Sequence, residues 1–308
     1  MKRVGFLLWL IILVFFMSNT VKVSIAQSGR NSGSSTERTA QLNVIVHSKT
    51  NSQLNLNKDS LALFDAGIQQ DIEYLRYDPT GARIIVLVDN SQTLRAETAL
   101  VQKIAQTVLQ ELQQDDRAMV IGFSEQAEVF AEFTNDTKLL VSSISKFHKQ
   151  GLPKLYDALV ASVEDGFRKQ LGSTKRAIVL ISDGYDKDSK TKFEEAQAAL
   201  LNENIIVYAF EAPDRTYGAI RPKGTGPKPI DAISALSEST GGLLFKIDRL
   251  DTVEANAKAL VKELKENWFT LSYIPKGVNL VNTRRLLITT PDDKLEVRTK
   301  KIHPPQNF

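Results

Sequence analysis

Two stretches of this chain place oxygen-bearing side chains directly after an apolar run. Ile85-Val-Leu-Val88 leads into Asp89-Asn-Ser91-Gln-Thr93, and Ile178-Val-Leu-Ile181 leads into Ser182-Asp183-Gly184-Tyr185-Asp186. If the two runs are neighbouring strands, Asp89, Ser91, Thr93 and Asp183 converge as a cluster of hard oxygen donors. Such donors suit Mg²⁺ or Mn²⁺, which take carboxylate, hydroxyl and water oxygens in an octahedron. Each piece also has a plainer reading, since Asp, Asn, Ser and Thr after a strand cap helices and Asp-Gly makes turns. Recurrence at two apolar strand ends is what singles out the pair.

Other chemistries fall away motif by motif. The chain has no cysteine, which removes thiol catalysis, disulfides, Cys-based zinc sites and iron–sulfur clusters together. A Gly-x-Ser-x-Gly elbow, a His-Glu-x-x-His zinc helix and a phosphate loop are all missing. Ser91 stands where a haloacid-dehalogenase-like phosphatase needs its second Asp, and neither subtilisin motif is found. His47, His148 and His303 are the only histidines, and two of them lie in strand-like end segments, so they read as structural or surface groups. A metal-assisted hydrolase using the Asp89/Asp183 cluster is the alternative to a binding module.

Strands and helices must position these residues, and the middle of the chain supplies them in alternation. Ile84–Val88 is a continuous apolar run, as in a strand buried on both faces of a parallel sheet. Val101, Ile104, Ala105, Val108, Leu109 and Leu112 then recur at spacings of three and four, the mark of an amphipathic helix. Similar alternation continues to a last helix carrying Val253, Ala257, Leu260, Val261 and Leu264. The fold class read from this is α/β, a doubly wound, mostly parallel sheet over residues 80–268, with its ligand site where strand order reverses.

Residues 39–79 and 269–308 carry strand patterns without helices, and each is too short to bury a core alone. The economical solution is one small β-sandwich built from both ends, with the α/β domain inserted between them. Trp268 and Tyr273 are expected to pack between the two, and Gly241-Gly242 to end a helix.

Lys2-Arg3, an apolar run from Gly5 to Met17 and the small-residue exit Ser24-Ile25-Ala26 read as a signal peptide over residues 1–26. An uncleaved anchor is the competing reading, with the apolar run stretched to Val21. Residues 27–38 are Ser/Gly-rich and read as a tether. The expected destination is the periplasm, the cell surface or the medium. The formal charge of +3 includes Lys2, Arg3 and Lys22 with no acid before them, so the processed chain carries 3 − 3 = 0. Neutrality argues against a nucleic-acid partner.

The two acidic strand ends resemble those of the von Willebrand factor type A domain. The flanks, Leu61–Ile72 and Trp268–Pro275, are similar to the bacterial exported group called the VWFA-related Acidobacterial domain. That resemblance implies a metal-ion-dependent adhesion site formed by an Asp-x-Ser-x-Ser loop, a separate Thr and a later Asp. Asp89, Ser91 and Asp183 match, and Thr93 keeps the hydroxyl where Ser is usual. The separate Thr aligns with Pro153, in Pro153-Lys-Leu-Tyr156-Asp157-Ala158. Proline has neither a side-chain donor nor a side-chain acceptor, so a bound Mg²⁺ or Mn²⁺ would lack one ligand. By the same resemblance the protein is a non-enzymatic interaction module whose protein partner offers a carboxylate to the metal. Asp157 and Asp186 are left between supporting that site and capping helices.

Overall fold

The computed structural model describes residues 39–50, 52–169, 175–212, 228–247 and 250–306. The expected signal peptide and tether, and residues 213–227 of a Pro/Gly-rich loop expected over 213–229, lie outside them. In chain order the strands are β1 (Ala40–Ser48), β2 (Ala62–Asp65), β3 (Ile68–Gln70), β4 (Ile72–Tyr77), β5 (Arg83–Asp89), β6 (Arg117–Phe123) and β7 (Ala127–Thr134). They continue with β8 (Arg176–Ser182), β9 (Ile206–Glu211), β10 (Leu244–Lys246), β11 (Trp268–Tyr273), β12 (Arg284–Thr289), β13 (Leu295–Thr299) and β14 (Ile302–His303). The helices are α1 (Thr98–Glu111), α2 (Thr137–Ser143), α3 (Leu155–Ala161), α4 (Phe193–Asn202), α5 (Pro229–Thr240) and α6 (Leu250–Glu266). A π-helical stretch, Ser162–Phe167, extends α3.

Six strands form the central sheet in the order β10-β9-β8-β5-β6-β7. All neighbours run parallel except β7, which folds back antiparallel on β6. Alternate residues of β5 face opposite cores: Ile84, Val86 and Val88 pack with α1, α2 and α6, while Ile85 and Leu87 pack with α3, α4 and α5. Burial on both faces is why the run is uniformly apolar. From β5 the chain moves first to β6 and β7, then returns to the other side for β8, β9 and β10. Strand order therefore reverses between β5 and β8, the two strands that end in Asp89 and Ser182.

The ends of the chain form two further sheets, β13-β1-β11-β4 and β14-β12-β2-β3. N- and C-terminal strands alternate in the first, where β1 pairs with β11 and β13, and meet once in the second, where β2 pairs with β12. Leu42, Val44 and Val46 meet Leu63, Leu271, Leu286 and Ile288 in one shared core. A two-residue turn at Ala66-Gly67, both with positive φ, joins β2 to β3, a geometry that matches the twist of a tight hairpin. Gly241 closes α5 in the left-handed conformation at φ 88°, and a Cβ there would come within 2.8 Å of the Thr299 backbone.

Trp268 packs against the α/β core, as expected, and its cross-strand partner Ile45 goes with it. Tyr273 does not: it lies inside the sandwich, where its hydroxyl donates to Asp65 Oδ2 at 2.8 Å beside the Arg284–Asp65 ion pair. Strand alternation explains the difference, since residues 268 and 273 are an odd number apart and face opposite sides of β11. A second polar knot joins sandwich to helix layer. The buried Glu263 carboxylate of α6 accepts from Tyr208 Oη at 2.5 Å and pairs with His47 Nε2 at 2.6 Å and with Arg298.

Burial, helped by the nearby positive charges of Lys300 and Arg284, pushes the His303 imidazole down to about 3. A base held neutral in the fold and free to protonate when unfolded costs stability as pH falls from about 6.5 toward about 3. His303→Gln should flatten that part of the stability profile. Melts across that range check it, and an unchanged slope would show that His303 does not titrate this way.

Candidate functional site

Three loops meet at the carboxyl ends of β5, β6 and β8. Parallel register pairs Val88 with Ile181, which sets Ser182 beside Asp89. Asp89 is fully buried. Its Oδ1 accepts from Ser91 N at 3.0 Å and Ser91 Oγ at 2.7 Å, and its Oδ2 accepts from Ser182 Oγ at 2.9 Å. Thr93 Oγ1 lies 3.2 Å from Ser91 Oγ. The structure thus joins Asp89, Ser91 and Thr93 in one hydrogen-bonded chain. Asp183 is one residue beyond Ser182, half-buried, and its Oδ1 accepts from Tyr185 N at 2.9 Å. Burial raises the Asp89 carboxyl above the ordinary carboxylate value, and the Ser91 and Ser182 bonds and the charge of Lys149 oppose that rise.

The segment leading to α3 locks these loops together. Gln92 N donates to Gly151 O at 3.0 Å, Lys154 N to Ser124 O at 2.9 Å, and Lys187 N to Pro153 O at 2.7 Å. Buried Pro153 therefore sits where the loops after β5, β6 and β8 meet. Asp186 caps α3, and Asp157 braces the loop that leads to α4. Asp186 Oδ1 accepts from Tyr156 N at 3.2 Å in the first turn of α3 and from Ser189 Oγ at 2.6 Å. Asp157 accepts from Thr191 N at 2.8 Å and Lys190 N at 3.1 Å.

These donors suit a hard divalent cation in kind, since all are carboxylate or hydroxyl oxygens. They fall short in number. Both Asp89 oxygens already serve protein donors, the buried Pro153 side chain offers no oxygen, and no group of three or more Asp, Glu, His or Cys is arranged to hold an ion among the described residues. The set does not fit a tightly held metal. Two residues here escaped the reading of the sequence. Ser182 bridges Asp89 Oδ2 and Gly184 N, and its place before Asp183 at a strand end was the available signal. Lys149 reaches the carbonyl oxygens of Leu94 and Ala96 through its long side chain, which leaves no local signature.

The family model described as von Willebrand factor type A domain matches residues 84–246. No curated protein is significantly similar to the chain. Among solved structures, a von Willebrand factor type A protein from Catenulispora acidiphila is 10% identical, with a TM-score of 0.49, covering 82% of this chain and 74% of its own. An aerotolerance-related membrane protein from Bacteroides fragilis is 18% identical, with a TM-score of 0.46, covering 60% and 98%. Proximal thread matrix protein 1 from the mussel byssus, with a zinc-occupied MIDAS motif, is 15% identical, with a TM-score of 0.47, covering 65% and 49%.

Pro153→Thr adds a hydroxyl at this loop junction. It should bind Mn²⁺ more tightly than the native chain by about 1–2 kcal/mol, the worth of one charge-assisted contact. That is on the order of tenfold in Kd by calorimetry. Tight binding by the native chain with no gain in the variant would place Pro153 away from the ligand position.

Proposed function

The chain belongs to the von Willebrand factor type A domain family, and from that premise we propose that it is an exported interaction module docking a protein partner on the strand-end face around Asp89 and Asp183. The observation carrying this reading is the reversal of strand order between β5 and β8, with three loops cross-linked above it. Ligand sites of doubly wound sheets form at such a reversal. Among the described residues no helix is long and apolar enough to cross a membrane. Export rests on the sequence of residues 1–26, and the tether at 27–38 would let the face reach outward.

The Ser91 hydroxyl is fully buried and spent on Asp89, so it does not meet a substrate as a nucleophile. His148 is exposed and its Nδ1 pairs with Lys146 O, which gives no base for acyl transfer. Docking needs neither group. Half-buried Asp183 is then the acid that this set presents, Asp89, Ser91 and Thr93 shape the face from beneath, and any Mg²⁺ or Mn²⁺ would be held weakly by the same four.

Complete burial decides how the face is tested. Asp89→Ala would leave Ser91 and Ser182 donors unmet and open a cavity, so it disturbs the fold as well as the face. Asp89→Asn keeps the shape and removes the charge. Because burial raises its folded value, native stability falls as pH rises from the ordinary carboxylate value through the raised one, and Asp89→Asn should lose this fall. Asp183→Asn should leave melting close to native. Both variants should capture less partner from an envelope extract than the full native chain. Undiminished capture by both would move the interface off this face.

A further inference from the structure

The strand-end loops contain a built-in cation. The Lys149 side chain, half-buried, donates its ammonium to Leu94 O at 2.5 Å and Ala96 O at 2.6 Å, two carbonyls of the loop that follows Ser91 and Thr93. Two backbone bonds follow it in the chain: Gln150 N to Asn90 O at 2.8 Å, and Gln92 N to Gly151 O at 3.0 Å. Four bonds thus fasten residues 149–151 to residues 90–96. Carbonyl oxygens gathered on a positive charge are the arrangement a hard metal ion would otherwise impose on a loop. An ammonium does the same with three directed donors and one fixed charge.

Charge balance leads the same way. Asp89 is a fully buried acid whose protein partners, Ser91 and Ser182, are neutral hydroxyl and amide groups. A buried carboxylate left without positive charge in reach is costly, and a nearby cation offsets that cost. Lys149 is a positive group whose field reaches Asp89. The same fixed charge repels a divalent ion approaching the loop, and Pro153 withholds the ligand that would repay that repulsion.

We propose that Lys149 is the resident cation of this face: its ammonium, bonded to the Leu94 and Ala96 carbonyls, holds the Asn90–Glu97 loop in its docking shape, so the loop keeps that shape without a divalent metal. Two of its three N–H donors go to loop carbonyls. The proposal rests on the docking reading above, but the loop and the metal are measured without a partner, so the two can fail separately.

The test uses the full chain. Native melting should be the same within about a degree in chelator and in millimolar Mn²⁺, because a ligand that does not bind the fold cannot stabilise it. Lys149→Met, which keeps the stem and removes the charge, should speed amide exchange over residues 92–97 on the order of tenfold, and Mn²⁺ should not restore protection. Lys149→Arg keeps the charge and should return most of it, which a purely space-filling role would not require. Stabilisation of the native chain by Mn²⁺ overturns the proposal. So does exchange in Lys149→Met that matches native, or an Arg variant no better than Met. Should Lys149→Met fail to fold, the native Mn²⁺ melt and the Arg variant still decide.

Discussion

A carboxylate taken fully out of water must find all its partners inside the protein, and Asp89 is such a group. Its position at the end of the central strand means that the partners can come only from neighbouring strands and the loops above them. Ser182 reaches it because β8 runs parallel to β5 in a register that sets residue 182 beside residue 89. Ser91 reaches it because the chain turns at once after the strand. The polar knot thus depends on the reversal of strand order, and the reversal in turn is held by two apolar cores, one on each face of the sheet.

The sandwich solves a different problem with similar means. Neither end of the chain can close a core alone, so each lends strands to both sheets. Apolar burial supplies most of the attraction, but it is indifferent to which strand meets which. The buried Asp65–Arg284–Tyr273 cluster supplies discrimination, since a slip in register would leave ionised groups unpaired in an apolar setting. Glu263, His47, Arg298 and Tyr208 extend that logic to the contact between the sandwich and α6.

Much of this was legible in the residues. Uniform apolar runs such as Ile84–Val88 announce a strand covered on both faces, and the acids that follow them announce the strand-end face. Helical spacing in Val101–Leu112 and alternation in Gln41–Val46 separated the α/β layer from the sandwich. Antiparallel β7 was not marked, because an edge strand has the same composition whichever way it runs. Tyr273 was assigned to the wrong side of its strand for want of the register that Trp268 sets. Ser182 and Lys149 were missed because their partners are distant in sequence: Ser182 lies 93 residues from Asp89, and Lys149 lies 55 from Leu94. Local patterns report which face a residue takes. They do not report which distant group waits there.

The central claim is that partners dock where β5 and β8 end. Hydrogen–deuterium exchange of the full chain, with and without a captured partner, reads that surface directly. Docking at the strand ends predicts new protection over residues 90–97, 149–154 and 183–192, with the sandwich strands unchanged. Protection confined to β2, β12 and β14, with those three loops exchanging as before, would contradict it.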